Sequence, residues 1–356
     1  MTATPVIDVI GGIDTHSNTH HAAVLDPVGR LLGTREFRAD PAGYLDLLAW
    51  MRSFGQVSVI GVEGTGSYGA GLTRCLRDQQ VRVIEVNRPD RRTRRLRGKS
   101  DPLDAESAAR RALAGAETVV PKDTSTIVES IRVLRIARTG AVKSRTAAYN
   151  QLKDLIITAP EPLRSSMRSK TLHRVSQEAA RLRPDMDKLA DPTHATKLAL
   201  RTIAIRIGGF NSEIAELDKH LKTLVATAAP RTLALLGVGV EHAAQLLITA
   251  GGNPERLRSE ASFAALCAAC PIPASSGNTQ RHRLNRAGDR DANRTLNMIT
   301  ISRLRYCPDT RAYIERRRAN GLSKREAIRC VKRYIARQTF HTIRADLASE
   351  TPLDGP

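Results

Sequence analysis

Four carboxylates stand where chemistry could be built. Asp14 ends an apolar run, VIDVIGGIDTH, and Glu63 ends another, VSVIGVEG. Asp101 and Asp104, in KSDPLDAESAAR, are three residues apart at the opening of a helical pattern, so their side chains share one face. A single acid of this kind is normally a solvated surface group. Four of them on strand ends and a helix start match what phosphodiester chemistry with two Mg²⁺ ions requires. There, several carboxylates hold two cations about 3.5–4 Å apart, against the attacking and the leaving oxygen. Strand ends suit this task because the sheet fixes them while their side chains leave its edge.

A second group of residues could meet such a substrate. Arg88, Arg91, Arg92, Arg94, Arg95, Arg97 and Lys99 crowd into NRPDRRTRRLRGKS, just before Asp101. They read either as a grip on a phosphate backbone or as a solvated loop. Further on, PIPASSGNTQRHRLNRAGD sets Ser275 and Ser276 in a Pro/Gly-rich stretch followed by Arg281, Arg283, Arg286 and Arg290. Serines in such stretches commonly form turns, and no His or Asp is placed to complete a hydrolase triad. A serine can still attack phosphorus where cations or arginines stabilise the developing charge.

Two rival constellations remain open. Gly64, Gly66 and Gly69 follow an apolar run and spell GxGxxG, with Glu85 about 20 residues beyond, as in a dinucleotide-binding fingerprint. Such a unit normally opens with that strand, whereas here a segment carrying Asp14 precedes it. Cys267 and Cys270 form a lone CxxC; a zinc site wants a second pair, and Cys307 and Cys330 are too far apart to supply one. Small buried residues on a helix are the other reading of that pair.

The elements that must carry these residues fall into three segments. Residues 1–120 predict three strands forming an antiparallel meander, then helix, strand, helix, strand and helix, with Pro41 opening the first helix and Ser100 or Asp101 at the N-cap of the last. This is the order of a ribonuclease-H-like α/β domain. Residues 121–230 show apolar positions at three- and four-residue spacing, broken by Pro160, Pro162, Pro184 and Pro192; they predict long helices, a coiled-coil linker or helical hairpin that bridges two domains or two protomers. Residues 231–345 predict a mainly helical domain containing the serine loop, and 346–356 a loose tail.

Composition narrows the partners. The 356 residues carry a formal charge of +20, a field whose commonest polyanionic match is nucleic acid. Aromatics are 3% of the chain, too few for a base-stacking platform, so binding should rest on Arg and Lys contacts to phosphate. Five cysteines suit reduced thiols. No apolar run approaches the roughly 20 residues needed to span a bilayer, and the N-terminal segment lacks signal-peptide features. A cytoplasmic protein without membrane partners is expected.

With GIDTHS, GVEGTGSYG and KSDPLDAESAAR in that order, the first segment resembles the DEDD transposases of insertion sequences, and the likeness extends from about residue 8 to 345. It implies a RuvC-like catalytic domain, similar to that of Holliday-junction resolvases, with Asp14, Glu63, Asp101 and Asp104 as ligands of two Mg²⁺ ions. It also implies that Ser276, the serine before Gly277, is a nucleophile forming a 5′-phosphoserine intermediate; Ser275 is its neighbour in register. The third segment departs from the family only in carrying Ala269-Cys270 before the motif's proline. The resemblance further implies double-stranded donor and target DNA as substrates, a structured non-coding guide RNA, a dimer or tetramer, and action at the bacterial nucleoid. A metal-dependent nuclease or resolvase that needs the acids but not the serine is the alternative, followed by a non-catalytic nucleic-acid-binding module.

Overall fold

The computed structural model describes residues 7–86, 100–115, 119–277 and 282–349. It divides into two units, Met1–Thr126 with Ala250–Arg258, and Ile127–Thr249 with Ser259–Pro356.

The first unit is built on apolar runs that become sheet. Strands β1 (Asp8–Thr15), β2 (Thr19–Leu25) and β3 (Leu31–Arg38) form the meander. Helix α1 (Pro41–Arg52), strand β4 (Gln56–Glu63), helix α2 (Ala70–Asp78), strand β5 (Val83–Val86) and helix α3 (Asp101–Leu113) follow. The sheet order is β3-β2-β1-β4-β5; β1, β2 and β3 are antiparallel neighbours, and β4 and β5 run parallel to β1. This arrangement is compatible with a ribonuclease-H-like domain.

Alternation along the strands sorts side chains into two layers. Val9, Ile13, Ala22, Val24, Ile60 and Val62 pack with Leu47, Leu48 and Met51 of α1 and with Leu72 and Leu76 of α2. On the opposite face Ile10, Ile84 and Val86 meet Ala108 and Ala112 of α3. The buried face of α3 is almost all alanine, which lets the helix lie close to the sheet. Gly12 and Gly61 face it: a Cβ on Gly61 would come 2.7 Å from Ala108 O. Asp40 caps α1, accepting from Gly43 N at 2.8 Å, with proline in the first turn. The segment Ala250–Arg258 belongs to this unit through Asn253, whose Oδ1 accepts from Asp123 N and whose Nδ2 donates to Pro121 O.

The second unit is mostly helical. Helices α4 (Ile127–Ile157) and α7 (Pro192–Ala228), of 31 and 37 residues, lie against each other. Arg138 pairs with Asp218, Arg145 with Asn211 and Arg206 with Gln151, so the two run antiparallel within one chain. Buried Leu200, Ile207, Ile214, Leu221 and Ala228 recur at seven-residue spacing along α7, the period of a helical seam. Short helices α5 (Glu161–Met167) and α6 (Leu172–Ala179) join the same core through Leu163, Met167, Val175 and Ala179.

Beyond the hairpin come α8 (Pro230–Leu233), α9 (Val240–Ala250), α10 (Glu260–Leu266), the two-residue strands β6 (Ile272–Pro273) and β7 (His282–Arg283), and helices α11 (Arg290–Tyr306), α12 (Pro308–Ala319) and α13 (Lys324–Ala348). Phe340 of α13 packs near Phe263 of α10. Buried Asp346 accepts from Arg231 N, Thr232 N and Thr232 Oγ1, satisfying the first turn of α8. Capping boxes at Ser259/Ser262 and Ser323/Glu326 start α10 and α13. No helix among the described residues is long and apolar enough to cross a membrane.

Candidate active site

The acids of the first unit are carried by three elements that meet at one end of the sheet. β1 and β4 are parallel neighbours with Ile13 opposite Val62, so Asp14 and Glu63 come next in register at their C-terminal ends. Thr15 Oγ1 donates to Glu63 O at 2.8 Å and ties the two ends together. Gly64, at φ +74°, then turns the chain away. Gly12 and Ile10 face α3, so Asp14, two residues on, faces that side too.

Asp101 and Asp104 occupy the first turn of α3, behind Ser100 at the N-cap. A helix N-terminus favours negative charge there. Asp14 is 6% exposed and Asp104 7%. Burial pushes the Asp14 carboxyl up; His16 opposes this, and Asp104 and Asp101 add to it. A buried carboxylate crowded by two others is one that a cation would relieve. The oxygen-rich donor set therefore fits a hard divalent ion.

One further side chain joins them. His16 Nε2 lies 3.2 Å from Asp14 Oδ2 and 3.4 Å from Asp101 Oδ1. Sequence reasoning passed over this histidine. Its position two residues beyond Asp14, in the turn between two strands, was the available signal.

The glycine motif behaves differently from a dinucleotide loop. Ser67 N and Gly69 N both donate to Gly64 O, at 2.9 and 3.2 Å. Amides that should face a pyrophosphate are thus spent inside the turn. Glu85, the counterpart of the ribose acid, is 3.4 Å from Arg256 Nη1.

Ser275 and Ser276 lie in the second unit, exposed, just after β6. Gly277 follows at φ +54°. β6 pairs antiparallel with β7, setting Ile272 opposite Arg283. Arg283, Arg286 and Arg290 are exposed, and Arg283 and Arg286 line an open cavity of about 480 Å³ with Ile272, Leu284, Asn285 and Ala287. The segment after β7 is pinned to α10. A Cβ on Gly288 would lie 2.5 Å from Ala268 N and 2.6 Å from Ala265 O, and Asp289 N donates to Leu266 O. Asn293 of α11 donates to Cys267 O and Ala268 O, and accepts from Lys332 Nζ. Cys267 is buried at the end of α10 and Cys270 is half-buried. Arg281 and the stretch Arg88, Arg91, Arg92, Arg94, Arg95, Arg97 and Lys99 lie outside the described residues.

Two family models match this chain. One, the DEDD transposase model of the IS110 type, covers residues 11–158, taking in all four acids. The other, described as transposase of the IS116/IS110/IS902 family, covers residues 230–315 and takes in the serine loop. The chain belongs to the IS110 family of DEDD transposases. A Streptomyces coelicolor protein assigned as the mini-circle transposase for IS117 is 29% identical over 244 residues, 63% of this chain and 56% of that protein. The match to that relative thus spans little more than half of its length. Within this IS110-family chain, helix α4 lies inside the first matched region, and helices α5, α6 and α7 lie between the two.

Proposed function

We propose that this IS110-family protein is a transposase that cuts and rejoins double-stranded DNA of an insertion sequence. The observation that carries this reading is the gathering of Asp14, Asp101 and Asp104 at the sheet end where Glu63 also terminates. In this reading the first unit is a ribonuclease-H-like catalytic domain, and the four acids hold two Mg²⁺ ions. When bound, the ions would polarise the scissile phosphate and stabilise charge on its oxygens.

Ser276 is the nucleophile. Its Oγ forms a bond to phosphorus while the bond to the departing 3′ oxygen breaks; in net terms the serine proton ends on the released 3′ hydroxyl. A 3′ hydroxyl of the other duplex then displaces the serine and restores a phosphodiester. Arg283, Arg286 and Arg290 contribute positive charge near that serine loop. The +20 charge with few aromatic side chains supports backbone recognition, leaving sequence recognition to a structured guide RNA. Assembly as a dimer or tetramer, and action at the nucleoid in the cytoplasm, complete the proposal.

A second reading is favoured by one observation: the three aspartates gather within the first unit alone. Acids that need nothing from the serine loop could direct water, as in a resolvase-like nuclease. Both readings are tested by incubating protein, Mg²⁺, labelled donor and target DNA and RNA from the element's flanking non-coding region, followed by a denaturing gel. Transposition through serine predicts a protein–DNA adduct that is lost in Ser276→Ala, retained in Ser275→Ala, and absent in Asp14→Asn. Cleavage without an adduct, unaffected by either serine change, establishes the nuclease instead.

A further inference from the structure

His16 stands between two of the acids. One ligand atom from each of Asp14, His16 and Asp101 lies within 4.8 Å of the others, and the imidazole nitrogen is 3.2 and 3.4 Å from its two carboxylate oxygens. Neighbouring donors around a cation with bonds of about 2.0–2.2 Å are themselves roughly 3 Å apart. The observed separations are close to those of adjacent ligands on one ion.

The histidine is also anchored. His16 N donates to Thr19 O at 3.0 Å, closing the turn between β1 and β2. A second ring borders the same face: His21 is opposite Asp14 in the antiparallel register, and its buried Nε2 has no hydrogen-bond partner among the described residues.

Building on the metal-binding role proposed for the acids, we infer that His16 is itself a ligand of the ion held by Asp14 and Asp101, and that this site prefers a first-row transition ion to Mg²⁺. Mg²⁺ takes oxygen donors and gives up water reluctantly. Imidazole nitrogen suits transition ions, and Mn²⁺ also shares the liking of Mg²⁺ for carboxylates. Replacing one oxygen position by His16 Nε2 therefore tilts the site towards Mn²⁺ without excluding Mg²⁺. Glu63 and Asp104 leave an all-oxygen set for any second ion.

The test uses the full-length protein with Mn²⁺ as the probe. Electron spin echo modulation detects a directly bonded imidazole nitrogen, and calorimetry gives Mn²⁺ and Mg²⁺ affinities separately. Wild type should show nitrogen modulation that disappears in His16→Ala and His16→Gln and persists in His21→Ala. In both His16 variants the Mn²⁺ Kd should rise about tenfold or more, with that for Mg²⁺ changing much less. Two substitutions of different size guard against a folding defect, checked by thermal melting. Bound Mn²⁺ without nitrogen modulation, or modulation that survives loss of His16, overturns the inference and leaves the acids as ligands. Wild type that binds neither ion overturns the acid assignment as well.

Discussion

Gly12 of β1 and Ala109 of α3 are packed so closely that a Cβ on the glycine would sit 2.1 Å from the Ala109 backbone nitrogen. It would also lie 2.3 Å from Ala105 O, so helix and strand touch backbone to backbone. Gly12 is two residues before Asp14, and Ala109 follows Asp104 on the same helix. This contact sets the distance between the acids of the strand and those of the helix.

Gly12→Ala must therefore push α3 from the sheet. We expect a loss of about 1–3 kcal/mol of stability, the usual cost of overpacking, seen as a lower melting temperature. Divalent-ion affinity should fall with it, because Asp101 and Asp104 move with their helix. A variant that melts like wild type and binds metal normally would mean the helix adapts without cost.

His20 and His21 are adjacent but lie on opposite faces. His20 is fully buried and stacked on Tyr44 at 5.5 Å, in the layer away from the acids. Burial lowers its pKa from the ordinary 6.5; a bond to Thr19 O opposes this, and His16 adds a smaller lowering. Between the lowered folded value and 6.5, the unfolded chain binds more protons than the folded one. This histidine's contribution to stability is thus full above pH 6.5 and is lost as pH falls below it. His20→Phe keeps the stacking and removes the proton site. Its melting temperature should gain on wild type when pH drops from 7.5 to 5.5; a constant gap between the two proteins across that range would contradict this.

Asp289 organises the segment downstream of the serine loop. Oδ1 accepts from Asp291 N and Ala292 N at the start of α11, while Oδ2 accepts from Thr249 Oγ1 at 2.7 Å and Gln245 Nε2 at 3.3 Å. Asp289→Ala removes a helix cap and the charged acceptor for Thr249 and Gln245, which keep only their bonds to each other, at a cost of about 2–3 kcal/mol. Asp289→Asn, which can still cap through its one oxygen, should lose less than Asp289→Ala in denaturant unfolding. Equal losses would show that the cap contributes little and that the second acceptor oxygen, which an amide lacks, is what the position needs.

The order of strands and helices in the first unit was legible because each element writes its own local pattern. Apolar runs of strand length mark β1, β4 and β5, and a proline after an acidic N-terminus marks α3. The four candidate acids could be named for the same reason: Asp14 and Glu63 sit where a strand pattern stops, and Asp101 and Asp104 where a helical one starts. The antiparallel pairing of α4 with α7 inside one chain was less visible, since a seven-residue period says that a helix has a partner but not which one. Nor does any local signal show that Ala250–Arg258 packs into the first unit, where Asn253 reaches Asp123 and Pro121.

His16 shows the division most clearly. By itself, the sequence determined that Asp14 ends a strand and Asp101 begins a helix 87 positions later. Only the tertiary structure decided that a histidine from the intervening turn would stand between them. The physical reason is that local patterns follow from backbone periodicity and burial along one element, whereas this meeting depends on how closely α3 docks on the sheet. That closeness rests on two missing Cβ atoms, at Gly12 and Gly61, and on a row of alanines facing them.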